Sequence, residues 1–486
     1  MGASLHNLEE SLHRFADILT PEEAEEILAI QEKPLPVGIR VNPLKTIPEE
    51  KINNLANRYE WQVEPLSFYP YGWAITKANT PPGTTIEHRL GEYYLQDAAS
   101  MVPVSLFQIT TAHPHILDMA ASPGGKTTHL IDRTLDKGFI IANDASQGRI
   151  PALRSVLSTW GGINQAVTQF PGEAFGEWYP EKFDLVLLDA PCSMENFRPT
   201  LAHPLRKTTP DERIRLQQRQ LQLLSSALKA LRIGGQLVYA TCSLAPEEDE
   251  AVVDKLFQAY PNTCSIEVVS RKIQKASPGL TSYQGSDFHP DLANAIRLWP
   301  HLTGMSGFFC ALIQKISDTP SDKVPAPSRE FDLTGLEVLD EDEKALVNNL
   351  VFDQYGFNLE EVLEIYQLEL LQRYEQFFLV PLKYLEQFPT LPFEHIGMRL
   401  GRQVGNRFEP THEFITRFGR QFTRGKLQIN EDLIPIWISG RDIRHPDIER
   451  PAKGQYMVIT DKSDRLLGLG KLLPKRIRNM LPRGSF

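Results

Sequence analysis

The stretch His115–Thr128, HILDMAASPGGKTT, decides the fold. Ile116 and Leu117 read as a buried strand, followed by a tight turn and the start of a helix. Pro123, Gly124 and Gly125 let the backbone approach a ligand closely where that helix begins. A phosphate loop requires G-x-x-x-x-G-K-[ST]. Gly125, Lys126 and Thr127 supply its end, but Ala120 stands where its first glycine belongs. The pattern suits a nucleoside cofactor lying over the first strand of a doubly wound sheet, at a topological switch point. A plain strand–turn–helix joint is the alternative.

The chain has 486 residues, room for about three domains of ~150 residues each. No apolar run approaches the ~20 residues of a membrane span. The acidic, amphipathic N-terminus lacks the apolar centre of a signal peptide. Gly2 followed by Leu5 and His6, with no basic cluster, argues against a myristoyl anchor. A soluble, cytoplasmic monomer with no membrane partner is expected. Cys192, Cys242, Cys264 and Cys310 form no C-x-x-C pair, so no metal site is expected. The net charge of −10 speaks against nucleic acid, but Met398–Phe486 carries 18 Lys and Arg against 9 Asp and Glu. A basic end on an acidic chain is a footprint of phosphate binding; a solvated basic face is the bland alternative.

Residues 1–112 read as an α+β unit with a lead-in helix. Leu8, Leu12, Phe15 and Leu19 share one helix face, and Thr20-Pro21-Glu22-Glu23 caps a second helix running through Ile30. A strand VGIRVN (37–42), a helix over 48–59, and strands near 61–63 and 72–75 follow. The segment 90–107 begins as a strand and continues as a helix. Residues 113–316 alternate strands and helices, which predicts a parallel sheet covered on both faces. The strands are HILDMA, GFIIAND (138–144), NQAVTQF (164–170), FDLVLLDA (183–190), GGQLVYAT (234–241) and GFFCALIQK (307–315). Gly234-Gly235 reads as the stop of a helix ending at Leu231. Residues 317–330 are a linker. Within 331–486, an acidic helical pair at 340–375 precedes GKLQIN, IPIWISG, YMVITD and RLLGLGKLL, read as strands of a small barrel.

Chemistry in such a sheet sits at the carboxyl ends of strands. Asp118 ends the first strand. Asp144 ends the second, where an acid can hold ribose hydroxyls. Asp189-Ala190-Pro191-Cys192-Ser193 ends the fourth and Thr241-Cys242-Ser243 the fifth. Neighbouring strands lie ~4.8 Å apart, so the two loops can bring two thiols to one cleft. A single cysteine is usually core filler, the reading kept for Cys264 and Cys310. The location of Cys192 and Cys242 after strand ends, beside an acid and a hydroxyl, favours a reactive role. Two thiols and a carboxylate suit addition to an electron-poor ring, followed by loss of a proton elsewhere on it.

These residues resemble the Nop2/Sun (NSUN) RNA 5-methylcytosine methyltransferases, most closely their bacterial RsmF-like branch, over nearly the whole chain. DMAASPGGKTT resembles the family's cofactor loop, DAPCS its proline–cysteine motif and YATCS its catalytic-cysteine motif. GFFCALI, LGEYYLQDAASM and IRVN are similar to the closing strand, the lead-in helix and the N-terminal RNA-binding unit. LLGLGKLLPKRIRNMLPRG looks like the end of a PUA-like domain. The resemblance implies a Rossmann-like α/β methyltransferase domain between an N-terminal α+β RNA-binding unit and a C-terminal PUA-like β-barrel. It implies S-adenosyl-L-methionine along Ala120, Ala121, Ser122, Pro123, Gly124, Gly125 and Lys126, with its ribose on Asp144. Cys242 would attack C6 of a cytosine, Asp189 would bond the ring at N3 or N4, and Cys192 would assist loss of the C5 proton and release of the product. Lys126 would position cofactor or base.

The chain departs from the family at Pro171, where an acid often meets the adenine; backbone or Glu173 would serve instead. Met194, Glu195, Asn196 and Phe197 replace a glycine-led loop before Arg198. Arg40, Arg198, Lys471, Lys475, Arg476 and Arg478 are the candidate RNA contacts, joined by Arg483 in the tail. The expected substrate is structured RNA, by resemblance the small-subunit ribosomal RNA. The alternatives are the same chemistry on transfer RNA, a non-catalytic assembly factor, and an ATPase resting on Gly125-Lys126-Thr127.

Overall fold

The computed structural model describes residues 2–198, 207–269, 273–444 and 454–482. Two helices, α1 (Gly2–His13) and α2 (Pro21–Ala29), open the chain, and the Thr20–Glu23 capping box forms as read. A four-stranded antiparallel sheet follows, in the order β2 (Trp61–Pro65), β3 (Gly72–Ala78), β1 (Val37–Val41), β4 (Tyr93–Leu95), with α3 (Pro48–Tyr59) on it and the short α4 (Ile86–Arg89) preceding β4. Helix α5 (Ala98–Leu106) leads into the central sheet.

Five parallel strands make the middle of that sheet: β5 (His115–Asp118), β6 (Phe139–Asn143), β7 (Gln165–Thr168), β8 (Phe183–Asp189) and β9 (Leu231–Thr241). Their spatial order is β9-β8-β5-β6-β7. The chain winds outward from β5 through α6 (Gly125–Thr134), β6, α7 (Ile150–Trp160) and β7. After α8 (Phe175–Trp178) it returns to the other side of β5 for β8, α9 (Pro210–Ala230) and β9, with α10 (Glu250–Ala259) beyond. The winding reverses between β5 and β8, the place where open α/β sheets bind ligands. Parity along the strands explains the two-sided burial. Ile116, Ile140 and Leu187 pack on one face, and Leu117, Ile141 and Leu188 pack on the other.

Phe308–Lys315 runs antiparallel beside β9, and Ile296–Leu298 extends that edge. The opposite edge is closed from far away in sequence: His395–Ile396 pairs antiparallel with β7. The C-terminal region also fills the core, Phe388 stacking on Phe183 at 5.8 Å. Residues 317–330 have no regular structure, yet they are pinned, the Ser321 hydroxyl donating to Glu177 at 2.8 Å.

Four expectations change. Helix α9 ends at Ala230 and β9 starts at once; Gly234 lies inside the strand at φ +77°, where the register with β8 shifts. The acidic helical pair stops at Tyr366, and Leu368–Arg373 is a strand. IPIWISG is a helix over Ile434–Ile438, opened by Pro435, with the Trp437 indole donating to the Leu467 carbonyl at 2.8 Å. Closure of the expected C-terminal barrel is not seen among the described residues, where the region forms two separate five-stranded sheets, one of them with Lys426–Gln428 and Ile443–Arg444 at its two ends.

Candidate active site

The loop after β5 is stitched to both neighbouring strands. The Met119 N–H donates to the Leu187 carbonyl at 3.0 Å, and the Ala121 N–H to the Asn143 carbonyl at 2.7 Å. Ala120 is half-buried, Ala121 and Ser122 are buried, and Pro123 is exposed. Gly124 turns the chain into α6 at φ +111°, a conformation closed to side chains, and no side chain caps the helix. A Cβ at Gly125 would meet the Tyr94 ring at 3.0 Å. Backbone N–H groups at the start of α6 are therefore left for a ligand.

Three carboxylates stand at the strand ends around this loop. Asp118 accepts from the Thr127 hydroxyl at 2.6 Å, its Oδ1 atom is buried without a partner, and burial pushes its carboxyl up to about 7. Asp144 accepts from the N–H groups of Ser122 at 3.2 Å and Ser146 at 2.9 Å, and Arg149 lies over it at 3.5 Å. A carboxylate accepts up to about four bonds, so Asp144 keeps capacity for a ribose once Arg149 yields. Asp189 takes the Lys126 ammonium at 2.6 Å. Burial opposes the charge on Lys126, but Asp189 prevails and holds the ammonium above its ordinary value. Lys126 also donates to the Ser100 hydroxyl at 2.9 Å and lies 5.3 Å from the Phe308 ring centre. The phosphate-loop reading fails here, because Lys126 is turned to Asp189 and Thr127 is wholly buried on Asp118. A glycine-built loop, an unpartnered buried carboxyl oxygen and an acid at the second strand end fit a nucleoside with a charged tail.

The thiols meet on the other side of the switch point. The register sets Asp189 opposite Ala240, so the loops after β8 and β9 leave the sheet at one level. Cys192 and Cys242 lie with their sulfurs 3.0 Å apart, both half-buried. The hydrogen bond with Cys242, then burial, holds the Cys192 thiol well above its ordinary value. Cys264 and Cys310 are buried; Cys310 stands opposite Ala240 on the strand beside β9, where burial pushes its thiol well above its ordinary value.

Glu248 was missed in the sequence, hidden in the acidic run Glu247–Glu250. Such runs are usually solvated, but Glu248 is completely buried. It accepts from the Ser193 N–H at 2.8 Å, the Ser243 hydroxyl at 3.2 Å, the Gln220 amide at 3.1 Å and the Ser193 hydroxyl. One carboxylate thus grips the residue following each cysteine. The sequence offers only an acidic run a few residues beyond a cysteine motif, which does not separate an inward carboxylate from a solvated one.

The loop after Cys192 is walled by the head of the chain. Glu195 accepts from Arg14 at 2.9 Å and Arg213 at 2.9 Å, and from the Ser11 hydroxyl. Phe197 is buried, 4.8 Å from Phe15 edge-on and stacked on Trp299 at 6.2 Å. Pro171 is exposed and Glu173 is paired with Arg219 at 3.2 Å.

Two expected RNA contacts are corrected. Arg40 is completely buried and donates to Gln96, Asp132, the Gly125 carbonyl and Thr128. Arg198 is buried and donates to the Ile30 and Lys33 carbonyls at 2.8 Å each. Neither guanidinium can reach a phosphate. Lys471 donates to the Tyr456 hydroxyl at 2.8 Å and Arg476 pairs with Asp442 at 3.3 Å, while Lys475 and Arg478 are exposed. Arg483 lies outside the described residues.

Residues 109–314 match the family profile described as 16S rRNA methyltransferase RsmB/F, and residues 9–98 match that of the N-terminal domain of 16S rRNA methyltransferase RsmF. A protein of Pectobacterium atrosepticum named ribosomal RNA small subunit methyltransferase F is 31% identical over 467 residues, covering 94% of this chain and 91% of its own. Its namesake in Shewanella woodyi is 30% identical over 464 residues, covering 94% and 92%. Among solved structures, a methyltransferase homologue from Pyrococcus horikoshii is 30% identical with a TM-score of 0.56, its entire chain covering 65% of this one. A glycine-built loop at the switch point, a mixed sheet and relatives matched over more than nine-tenths of both chains agree: the chain belongs to the RsmB/F family of 16S rRNA methyltransferases, with the N-terminal domain of the RsmF kind.

Proposed function

We propose that this protein methylates C5 of a cytosine in small-subunit ribosomal RNA, with S-adenosylmethionine as donor and a covalent bond between Cys242 and C6 of the base. The observation that carries the reading is the 3.0 Å approach of the Cys192 and Cys242 sulfurs beside the Lys126–Asp189 pair. Carbon 5 of cytosine is a poor nucleophile until C6 carries an adduct, so the chemistry needs a covalent step. Cys242, its proton lost to solvent, attacks C6 as thiolate, and the electron pair moves into the ring, where Asp189 bonds N3 or N4 and Lys126 steadies the charge. S-adenosylmethionine, held along Ala120–Lys126, supplies the electron-poor methyl group. Bonding of Cys242 to carbon removes the sulfur that keeps Cys192 protonated, so Cys192 gives its own proton to solvent and, as thiolate, takes the proton from C5. The C6–sulfur bond then breaks. A paired base leaves its stack to enter the cleft.

The named relatives support the small subunit over transfer RNA, and an rRNA substrate implies work in the cytoplasm. Residues 1–112 and 331–486 flank the methyltransferase unit 113–316 and its linker 317–330 as RNA-binding parts. The C-terminal strands that include Leu466–Leu473 are read as a PUA-like unit, with Lys475 and Arg478 facing solvent. Cys192→Ala is expected to accumulate a protein–RNA adduct stable to denaturation, and Cys242→Ala to give neither adduct nor product. A bisulfite map of ribosomal RNA from cells with and without the protein locates the cytosine. Turnover by Cys242→Ala, or methylation of transfer RNA but not of isolated small subunits, overturns the reading.

A further inference from the structure

Three hollows run together along the outer face of α7. The first, about 470 Å³, is walled by Arg154, Arg373 and Arg399. The second, about 400 Å³, shares Ser155, Ser158, Arg399 and Glu413 with it. The third, about 530 Å³, continues past Arg89 and Thr159 to Tyr94, whose ring flanks Gly125 of the cofactor loop. The groove therefore spans from the C-terminal region to the methyltransferase unit, over the ~16 Å length of an eleven-residue helix.

Most basic side chains nearby are already taken. Arg417 pairs with Asp136 at 3.7 Å, Arg420 with Glu92 at 2.7 Å and Arg465 with Asp461 at 2.8 Å. Arg154, Arg373 and Arg399 are exposed, and none is ion-paired among the described residues. Three buried polar atoms of the walls, His395 Nε2, His412 Nδ1 and Glu413 Oε1, have no hydrogen-bond partner among the described residues. Burial pushes Glu413 up to about 8 and His395 down to about 4. At neutral pH both are uncharged, so Glu413 offers a proton and repels no anion. Glu394 is the remaining acid of the wall.

We propose that this groove holds the sugar–phosphate backbone of the substrate RNA, with Arg154, Arg373 and Arg399 as its phosphate contacts. The proposal rests on the reading that the substrate is RNA. Three hollows in series suit a polymer of phosphates better than a single anion, and the arginines come from both walls, so only the assembled chain makes the track.

The test uses the full chain and a small-subunit rRNA transcript. Replacing all three arginines by glutamine is expected to raise Kd for the transcript about tenfold or more at 150 mM salt, and to flatten the salt slope by about 2. Affinity for S-adenosylmethionine and kcat at saturating RNA stay within about twofold, and the triple lysine variant recovers most of the binding. On the wild-type protein, the transcript shields these three arginines from an arginine-modifying reagent. Unchanged Kd and slope in the glutamine variant, or modification of all three in the presence of RNA, overturns the groove and leaves the proposed reaction standing. A wild-type protein that binds the transcript through this groove but methylates no cytosine sinks the reaction alone.

Discussion

Glu248 is the residue on which the geometry of the two thiols converges. It touches neither cysteine, but it holds the residue after each, and the sulfurs sit 3.0 Å apart as a result. Removing it leaves a buried Ser193 N–H without a partner, at a cost of about 1–3 kcal/mol, and lets the loops drift. A misplacement near 1 Å costs about a hundredfold in rate. Glu248→Ala is therefore expected to lose about a hundredfold in kcat with KM for S-adenosylmethionine unchanged, and Glu248→Gln, which still accepts the Ser193 N–H, to recover at least tenfold. Equal loss of kcat in both variants would reduce Glu248 to a packing residue. The cysteines were legible because each follows the carboxyl end of a strand and is itself followed by a serine. Glu248 was not, because nothing in a single sequence says that an acidic run is folded inward.

At the level of elements, Arg40 shows how a strand and a helix are joined. It leaves β1, crosses to α6 and meets Asp132, with its guanidinium 4.7 Å from the Trp160 ring centre. Breaking a buried ion pair by removing one partner costs about 3–5 kcal/mol. Arg40→Met is expected to destabilise by that amount in urea unfolding, while the folded protein binds RNA with unchanged Kd; a loss of RNA affinity with stability intact would restore the phosphate contact expected from sequence. The strands of the central sheet were legible because both faces are buried and their apolar runs are short and bounded. Ile434–Ile438 was misread because alternating isoleucines satisfy the strand period, while Pro435 opens a helix just as readily. The half-closed C-terminal sheets could not be foreseen, since closure depends on pairings among distant segments.

For the whole molecule, the edge of the central sheet matters most. Val167 and Ala166 are paired with His395 and Ile396, and Phe388 stacks on Phe183 in the same core. The Pyrococcus homologue matches over its entire length and covers 65% of this chain; in this chain the edge of the central sheet is given to the C-terminal region. Deleting residues 331–486 is expected to lower Tm by more than about 10 °C and to cause aggregation at micromolar concentration, because an uncovered edge strand pairs with other chains. A soluble, monomeric fragment with wild-type Tm would show that the two parts are merely tethered.

The wall that Ser11, Arg14 and Phe15 build against Glu195 and Phe197 has a consequence for how the protein is made. Ser11, Arg14 and Phe15 leave the ribosome before their partners Glu195, Glu247 and Trp299 have been synthesised. The newborn head must wait undocked until the nucleotide-binding core has emerged behind it, and only then does the pocket acquire its last side. A product begun at an internal start codon beyond Phe15 would keep a complete Rossmann sheet and lose the wall that closes on the loop after Cys192.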